Sequence, residues 1–320
     1  MKIMKRLLMA LVLSAATFQG YGQGCSDAGF CTMGAMRPSQ VYSQKINFKL
    51  RALEVNQYRG TTKITPVINV TTLDFTFGIT EKTSFQVKIP YQWVNGNLGE
   101  TSSLGDISYS VTSNIKSTEK YHINATLGGK IPTNNSTLEA SNEFTSFQDA
   151  ELPMYYQTSL GTWDVVAGAA FISKKWMFAA GVQVPVVHNN DNDFRFEEWT
   201  GYPSEDYLRH NHLANDLKRG TDVMLRAERA FHFSNLDIRI GLLPIFRITK
   251  DQIRDIDTNE MVKLDNTTGM ALSAILGVAY HFNTFHSVKL LIGRKITDRD
   301  VNVDGLTRED VASLAYVIRF

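Results

Sequence analysis

The sequence predicts an all-β fold: a membrane-spanning antiparallel up-and-down β-barrel of about 14 strands, with 12 as the competing count. Three observations predict it. Apolar and polar residues alternate with period 2 through most of the chain beyond residue 43. Most of the alternating runs are about 10–13 residues long, enough to cross a bilayer as tilted strands and longer than the ~5–6 residues of a soluble strand. Short and long connections follow one another in turn, as they do in outer-membrane barrels.

Residues 1–24 read as an export signal. Lys2, Lys5 and Arg6 precede the apolar stretch Leu7 to Phe18, and Gly20, Gly22 and Gly24 follow it. The stretch is too short to span a bilayer as a helix, which takes roughly 20 residues. An uncleaved anchor and a lipoprotein signal with Cys25 as the lipidated residue are the competing readings. Residues 25–43 form a short segment holding Cys25 and Cys31, the only two cysteines of the chain. An exported pair meets an oxidising space, so a disulfide between them is expected, and the stapled segment is placed to act as a plug. Their spacing fits neither the redox nor the haem Cys motif. Met33 and Met36 offer soft sulfur to copper, but a structural staple is the better reading.

Residues 44–320 are the barrel. Alternating runs lie near 44–58, 64–78, 83–93, 105–115, 120–131, 152–160, 163–173, 176–187, 221–231, 236–248, 268–281, 286–296 and 309–320. In the third, Phe85, Val87, Ile89, Tyr91 and Trp93 share one face and Gln86, Lys88, Pro90 and Gln92 the other. An even count is needed if both ends lie on one side, and Asp193 to Thr200, with Phe194, Phe196 and Trp199, is the candidate for the extra strand. Twelve results if the region around Pro66 or the Gly161 hairpin is read differently. Segments near 94–103, 133–150, 201–219, 250–267 and 297–308 are long and polar, so they are expected to be the outer loops. Tyr91, Trp93, Trp163, Trp176, Tyr280 and Phe282 stand near strand ends, as in interfacial girdles. The chain ends Leu314-Ala315-Tyr316-Val317-Ile318-Arg319-Phe320, resembling the C-terminal signature that outer-membrane assembly machinery reads. A secreted β-sandwich explains the alternation but not the strand length, the girdles or this terminus.

Composition agrees. Lys and Arg number 33 against 32 Asp and Glu, so the chain lacks the basic excess of a nucleic-acid binder. With 43% hydrophobic and 20% charged residues it is not disordered. The mean hydropathy is slightly negative, too polar for a bundle of membrane helices but compatible with alternating strands.

Phe77-Gly78-Ile79-Thr80-Glu81-Lys82-Thr83-Ser84-Phe85, then Ile89-Pro90-Tyr91, then Leu104-Gly105-Asp106-Ile107-Ser108 resemble the outer-membrane transporter-like family named for the meta-pathway of phenol degradation. Ser103 stands where that family's motif begins with Gly. The resemblance covers roughly residues 75–115 well. It implies a channel for small hydrophobic or aromatic compounds, distantly similar to fatty-acid and toluene porins, without naming a substrate. It implies no cofactor and no catalysis. Its partners would be outer-membrane lipids, a small hydrophobic solute and the assembly machinery.

Charged residues recur on the face opposite the apolar one: Asp74, Lys88, His122, Lys130, Asp222, Arg226, Glu228, Asp237, Arg239, Arg247 and Lys289. An Arg or Lys facing lipid at midplane costs about 2–4 kcal/mol, so these residues are expected to face the lumen. Lys88, Arg226, Glu228, Asp237, Arg239 and Arg247 are the leading wall candidates. A short turn at Phe233 to Asn235 pairs two of these strands, and the pairing sets Glu228 near Arg239.

Three motifs point elsewhere. His232-Phe233-Ser234-Asn235 resembles the catalytic stretch of outer-membrane phospholipase A and lipid A deacylases, in which His activates Ser. A plain turn explains it as well. Asp300, Asn302 and Asp304, followed by Gly305, resemble half of a calcium loop, but Val311 occupies the twelfth position where Glu or Asp is expected. His210 and His212, with His188 nearby, lack further ligands at metal spacing.

Overall fold

The computed structural model describes Met33, Met36 and residues 49–61, 66–139, 150–199, 201–209, 213, 215–305 and 308–320. The signal segment, Cys25, Cys31, His210 and His212 lie outside the described residues.

The strands are β1 (Lys49–Thr61), β2 (Val67–Gly78), β3 (Thr83–Gly96), β4 (Gly99–Leu104), β5 (Ile107–Ser117), β6 (Tyr121–Ile131), β7 (Thr162–Ser173), β8 (Trp176–His188), β9 (Asp222–Phe233), β10 (Leu236–Arg247), β11 (Gln252–Arg254), β12 (Met261–Lys263), β13 (Gly269–His281), β14 (His286–Thr297) and β15 (Asp310–Arg319). All but β11 and β12 join one antiparallel sheet. It closes because β2 pairs with β3 as well as β1, and β1 pairs with β15. Closure leaves no edge along the wall, the condition for spanning a membrane with strands. β4 pairs only with β3 and stands outside the ring, so the barrel has 12 strands.

The expectation of 14 is therefore corrected to the competing 12. Residues 152–160 alternate but have no barrel partner. They form a loop with a 3-10 turn at Met154–Tyr156, and Leu152, Met154, Tyr156 and Leu160 are buried in a cluster built by loops. Of the candidate strand Asp193 to Thr200, the described residues 193–199 are not a strand either. Phe194 and Trp199 enter the same cluster, beside a 3-10 turn at Phe196–Glu198. An extended loop lying on an apolar surface shows period 2 as a strand does, and both misassignments have this cause.

Short connections gather at one rim: 79–82, 118–120, 174–175, 234–235 and 282–285. Side chains shape most of these turns. Thr80 Oγ1 accepts from the backbone N–H of Lys82 and Thr83, at 3.2 and 3.0 Å, and Thr118 Oγ1 does the same for Lys120 and Tyr121. Ser173 Oγ accepts from Trp176 N, and Asn283 Oδ1 from Phe285 N and His286 N. β1 starts and β15 ends at this rim. The long connections 132–161, 189–221, 248–268 and 298–309 all leave the opposite rim, together with the β3–β4 hairpin.

Alternation sorts the side chains. Val55, Leu73, Val111, Leu127, Val165, Leu225, Ile240, Leu276, Ile292 and Leu314 point out and are exposed. Tyr91, Trp93 and Trp163 form an outward aromatic level near the loop rim; Trp176, Phe178, Phe231 and Phe282 form another near the short-turn rim. No helix among the described residues is long and apolar enough to cross a membrane.

Candidate functional site

The lumen is layered, and charge appears in two of its layers. Beneath the loops, strand ends from β6, β7, β9 and β10 bring Lys130, Asp164, Asp222 and Arg247 together with Asp106, Arg219, Asp251, Arg299 and Asp304 from connecting segments. Lys130 Nζ lies 2.8 Å from Asp106 and 3.4 Å from Asp164. Arg219 reaches Asp304 at 3.0 Å, Asp222 at 3.1 Å and Asp164 at 3.5 Å. Arg247 holds Asp222 at 2.6 Å and Asp304 at 2.7 Å, and also bonds Asp251. All nine side chains are at most 9% exposed. Burial alone would raise the Asp304 carboxyl, but Arg247, Arg219 and Arg299 outweigh it and hold it well below the ordinary carboxylate range. Burial raises the Asp251 carboxyl in spite of Arg247, and nearby Asp304 adds to the rise.

Beside and above this layer lies the apolar cap. Tyr58, Ile68, Val70, Val94 and Val311 from β1, β2, β3 and β15 meet Leu98, Leu152, Tyr156, Phe194, Trp199, Leu217 and Val303 from the loops. The buried Tyr156 hydroxyl accepts from Leu98 N at 3.1 Å and lies 2.9 Å from the Tyr207 hydroxyl, which ties three loops together.

An apolar stripe runs along part of the lumen wall: Val166 and Ala170 of β7, Met177 and Ala179 of β8, Met224 of β9, Leu243 of β10 and Ile275 of β13. Met33 and Met36 lie against it, 2% and 0% exposed. Gly168 makes room for them, since a Cβ there would stand 2.5 Å from Met36 Sδ.

Toward the short-turn rim is a cavity of about 120 Å³ bordered by Glu54, Asn56, Asp74, Lys88, Glu228, Asp237, Arg239 and Lys289. Four of the six leading wall candidates line it: Lys88, Glu228, Asp237 and Arg239. Arg226 lies beside them, donating to Glu228 at 2.6 Å. Arg239 Nη1 is 3.9 Å from Glu228 Oε2, Lys88 Nζ is 3.8 Å from Asp74, and Lys289 is 2.9 Å from Glu54. Asp237 Oδ1 and Oδ2 meet His232 and His281 at 2.7 and 3.1 Å. Arg247 belongs instead to the sealed charge layer.

Sequence reading missed Glu54 and Asn56 in the cavity and Asp106, Asp164, Arg219, Asp251 and Arg299 in the sealed layer. Glu54 and Asp164 were findable, since each sits on the polar parity of its strand, at Ala52-Glu54-Asn56 and Thr162-Asp164-Val166. Loop residues carry no such periodic signal.

The other motifs find structural roles. His232 Nε2 meets the Lys174 carbonyl at 2.7 Å, while Ser234 Oγ donates to Asn235, so the imidazole is engaged by groups other than the serine. Asp304 is bound by arginines, and Asn302 Oδ1 accepts from Arg299 at 2.6 Å. Of the calcium candidates Asp300, Asn302 and Asp304, the last two thus have side-chain oxygens held by arginines. Among the described residues no group of three His, Cys, Asp or Glu side chains is placed to hold a metal. In the Leu104-Gly105-Asp106 motif, Gly105 lets Gln92 pack close, and Asp106 anchors Lys130 while accepting from Leu160 N at 3.3 Å.

No protein-family model and no curated protein sequence matches the chain. Solved structures do. An outer-membrane channel from Pseudomonas putida F1 is similar over 88% of this chain and 99% of its own, with a TM-score of 0.61 at 15% identity. The NanC porin aligns over 85% of this chain and 99% of its own, at 10% identity and a TM-score of 0.43. The CymD monoaromatic hydrocarbon channel aligns over 87% and 89%, at 12% identity and a TM-score of 0.39. The Pseudomonas likeness establishes the fold, and the chain is an antiparallel β-barrel of the outer-membrane type, built like a known channel.

Proposed function

We propose that this barrel is an outer-membrane channel for small solutes with a hydrophobic body, and that its N-terminal segment plugs the lumen through Met33 and Met36. The burial of those two methionines against an apolar stripe inside the barrel carries the reading. A lumen wall facing only water needs no such stripe, whereas one that receives apolar groups does. The methionines take the place that the hydrophobic part of a solute would use, and Gly168, Ala170 and Ala179 keep that place wide. Outer-membrane lipids around the aromatic levels and the assembly machinery at β15 are the partners this reading entails.

Reconstitution in liposomes tests it, with arabinose swelling and single-channel conductance as readouts. The wild type is expected to pass little. The Met33→Asp/Met36→Asp double variant is expected to pass at least several-fold more, because two carboxylates are not held in an apolar stripe. If both insert as folded barrels and neither conducts, the channel reading fails and a non-conducting scaffold takes its place.

A further inference from the structure

The cavity near the short-turn rim carries more than a polar wall. Its carboxylates are mostly turned inward or already held. Asp74 is 4% exposed and accepts from Gln86 Nε2 at 2.7 and 2.9 Å. Glu228 is 3% exposed and takes Arg226. Asp237 is engaged by two histidines and Glu54 by Lys289.

The cations present themselves differently. Lys88, Arg239 and Lys289 are each 15–16% exposed on this cavity wall. Arg239 is the decisive one. Its nearest carboxylate oxygen is 3.9 Å away, beyond hydrogen-bond length, and among the described residues its guanidinium forms no hydrogen bond. A guanidinium offers five N–H donors in a planar fork that matches a carboxylate. Asn56 adds an amide, since Ser313 Oγ donates to its Oδ1 at 2.6 Å and leaves its N–H₂ to donate. The remaining lining is apolar: Gly277, Ala279, Leu291 and Ala315. The volume of about 120 Å³ is slightly below that of an engineered apolar cavity, ~150 Å³, that holds benzene, which sets the ligand at roughly six heavy atoms.

We propose that this cavity is a binding subsite for a small monocarboxylate, with Arg239 reading the carboxylate, Lys88 and Asn56 assisting, and the apolar body resting on Ala279 and Leu291. The assignment rests on the channel reading for its physiological meaning, but binding itself needs no flux.

The test uses the purified full chain in detergent and three probes of similar size: butyrate, butyramide and butylamine. Titration calorimetry is expected to show butyrate binding at least tenfold more tightly than butyramide. Arg239→Gln should remove that preference, and Lys88→Gln should weaken it by a smaller factor. Heat-modifiable gel migration confirms that each variant is a folded barrel. Equal binding of butyrate and butyramide, a preference for butylamine, or a butyrate preference untouched by Arg239→Gln would each overturn the proposal. Arabinose swelling of liposomes holding the wild type and the Met33→Asp/Met36→Asp variant separates the two claims. Butyrate binding with no swelling even by the Met33→Asp/Met36→Asp variant supports the subsite and removes the channel, whereas swelling by that variant without butyrate preference removes the subsite alone.

Discussion

Two charged layers lie in one lumen, and they differ in how their charges are held. Under the loop cap, Arg219 and Arg247 bridge Asp222 and Asp304 through contacts of 2.6–3.1 Å, all out of reach of water. Near the opposite rim, Lys88 and Arg239 face their carboxylates at 3.8 and 3.9 Å and remain partly wetted. The first arrangement is what fixes loops in place; the second leaves donors able to exchange partners. Charge in a barrel lumen is therefore not one property. Short, dry, multiply bonded pairs accompany the loop cap, whereas Lys88 and Arg239 stand at longer range in the cavity proposed to receive a solute.

The largest expected effect separates the layers by substitution. Arg247→Met takes from Asp251 its ion-pair partner and leaves Asp222 and Asp304 to Arg219 in a dry site, and breaking a buried ionic arrangement costs about 3–5 kcal/mol. Arg239→Met leaves Glu228 with Arg226 and is expected to cost no more than ~1 kcal/mol. Thermal unfolding and trypsin sensitivity of segment 298–309 measure both. Equal losses would erase the distinction.

Acid sharpens it. A carboxyl lowered in the folded state contributes stability that is complete above its unfolded value and is lost only as pH falls through its folded value. Asp304 lies well below the ordinary 3.8. Asp251 shifts the other way, so taking up a proton on acidification favours the folded form. The cap is expected to stay docked from pH 7 to about pH 4. Hydrogen exchange of segment 298–309 checks this, and loss of protection between pH 6 and pH 4 would contradict it.

Salt gives the smallest effect. Raising ionic strength from about 0.1 to 1 M shortens the screening length from roughly 10 to 3 Å, which weakens partly wetted charges and spares dry ones. Butyrate affinity is expected to fall a few-fold while the unfolding temperature of the cap changes little. The reverse pattern would interchange the roles of the layers.

The sequence made the wall legible and the cap illegible, and the cause is physical. Every membrane strand obeys one rule, lipid outside and polar lumen inside, so alternation over ten or more residues exposes it. That rule located Arg226, Glu228, Asp237 and Arg239 and paired β9 with β10, where Gly241 stands opposite Glu228. The cap obeys no periodic rule. Leu152 to Leu160 and Phe194 to Trp199 turn apolar groups toward one another, and within a loop that pattern mimics a strand. The Arg219–Asp304 contact joins residues 85 positions apart with nothing local to announce it. Met33 and Met36 were visible as sulfur beside a cysteine pair, but their place against Gly168 follows only from the closed barrel.

Side-specific labelling tests most directly the claim that the lower layer faces the solute path and the upper one does not. In a Cys25→Ser/Cys31→Ser/Met33→Asp/Met36→Asp background, Arg239→Cys and Asp304→Cys are placed singly and exposed to a small, water-soluble, positively charged thiol reagent in conducting liposomes. Position 239 is expected to react within minutes and to change conductance, while position 304 reacts at least tenfold more slowly. Rapid labelling at 304 together with silence at 239 would contradict the account.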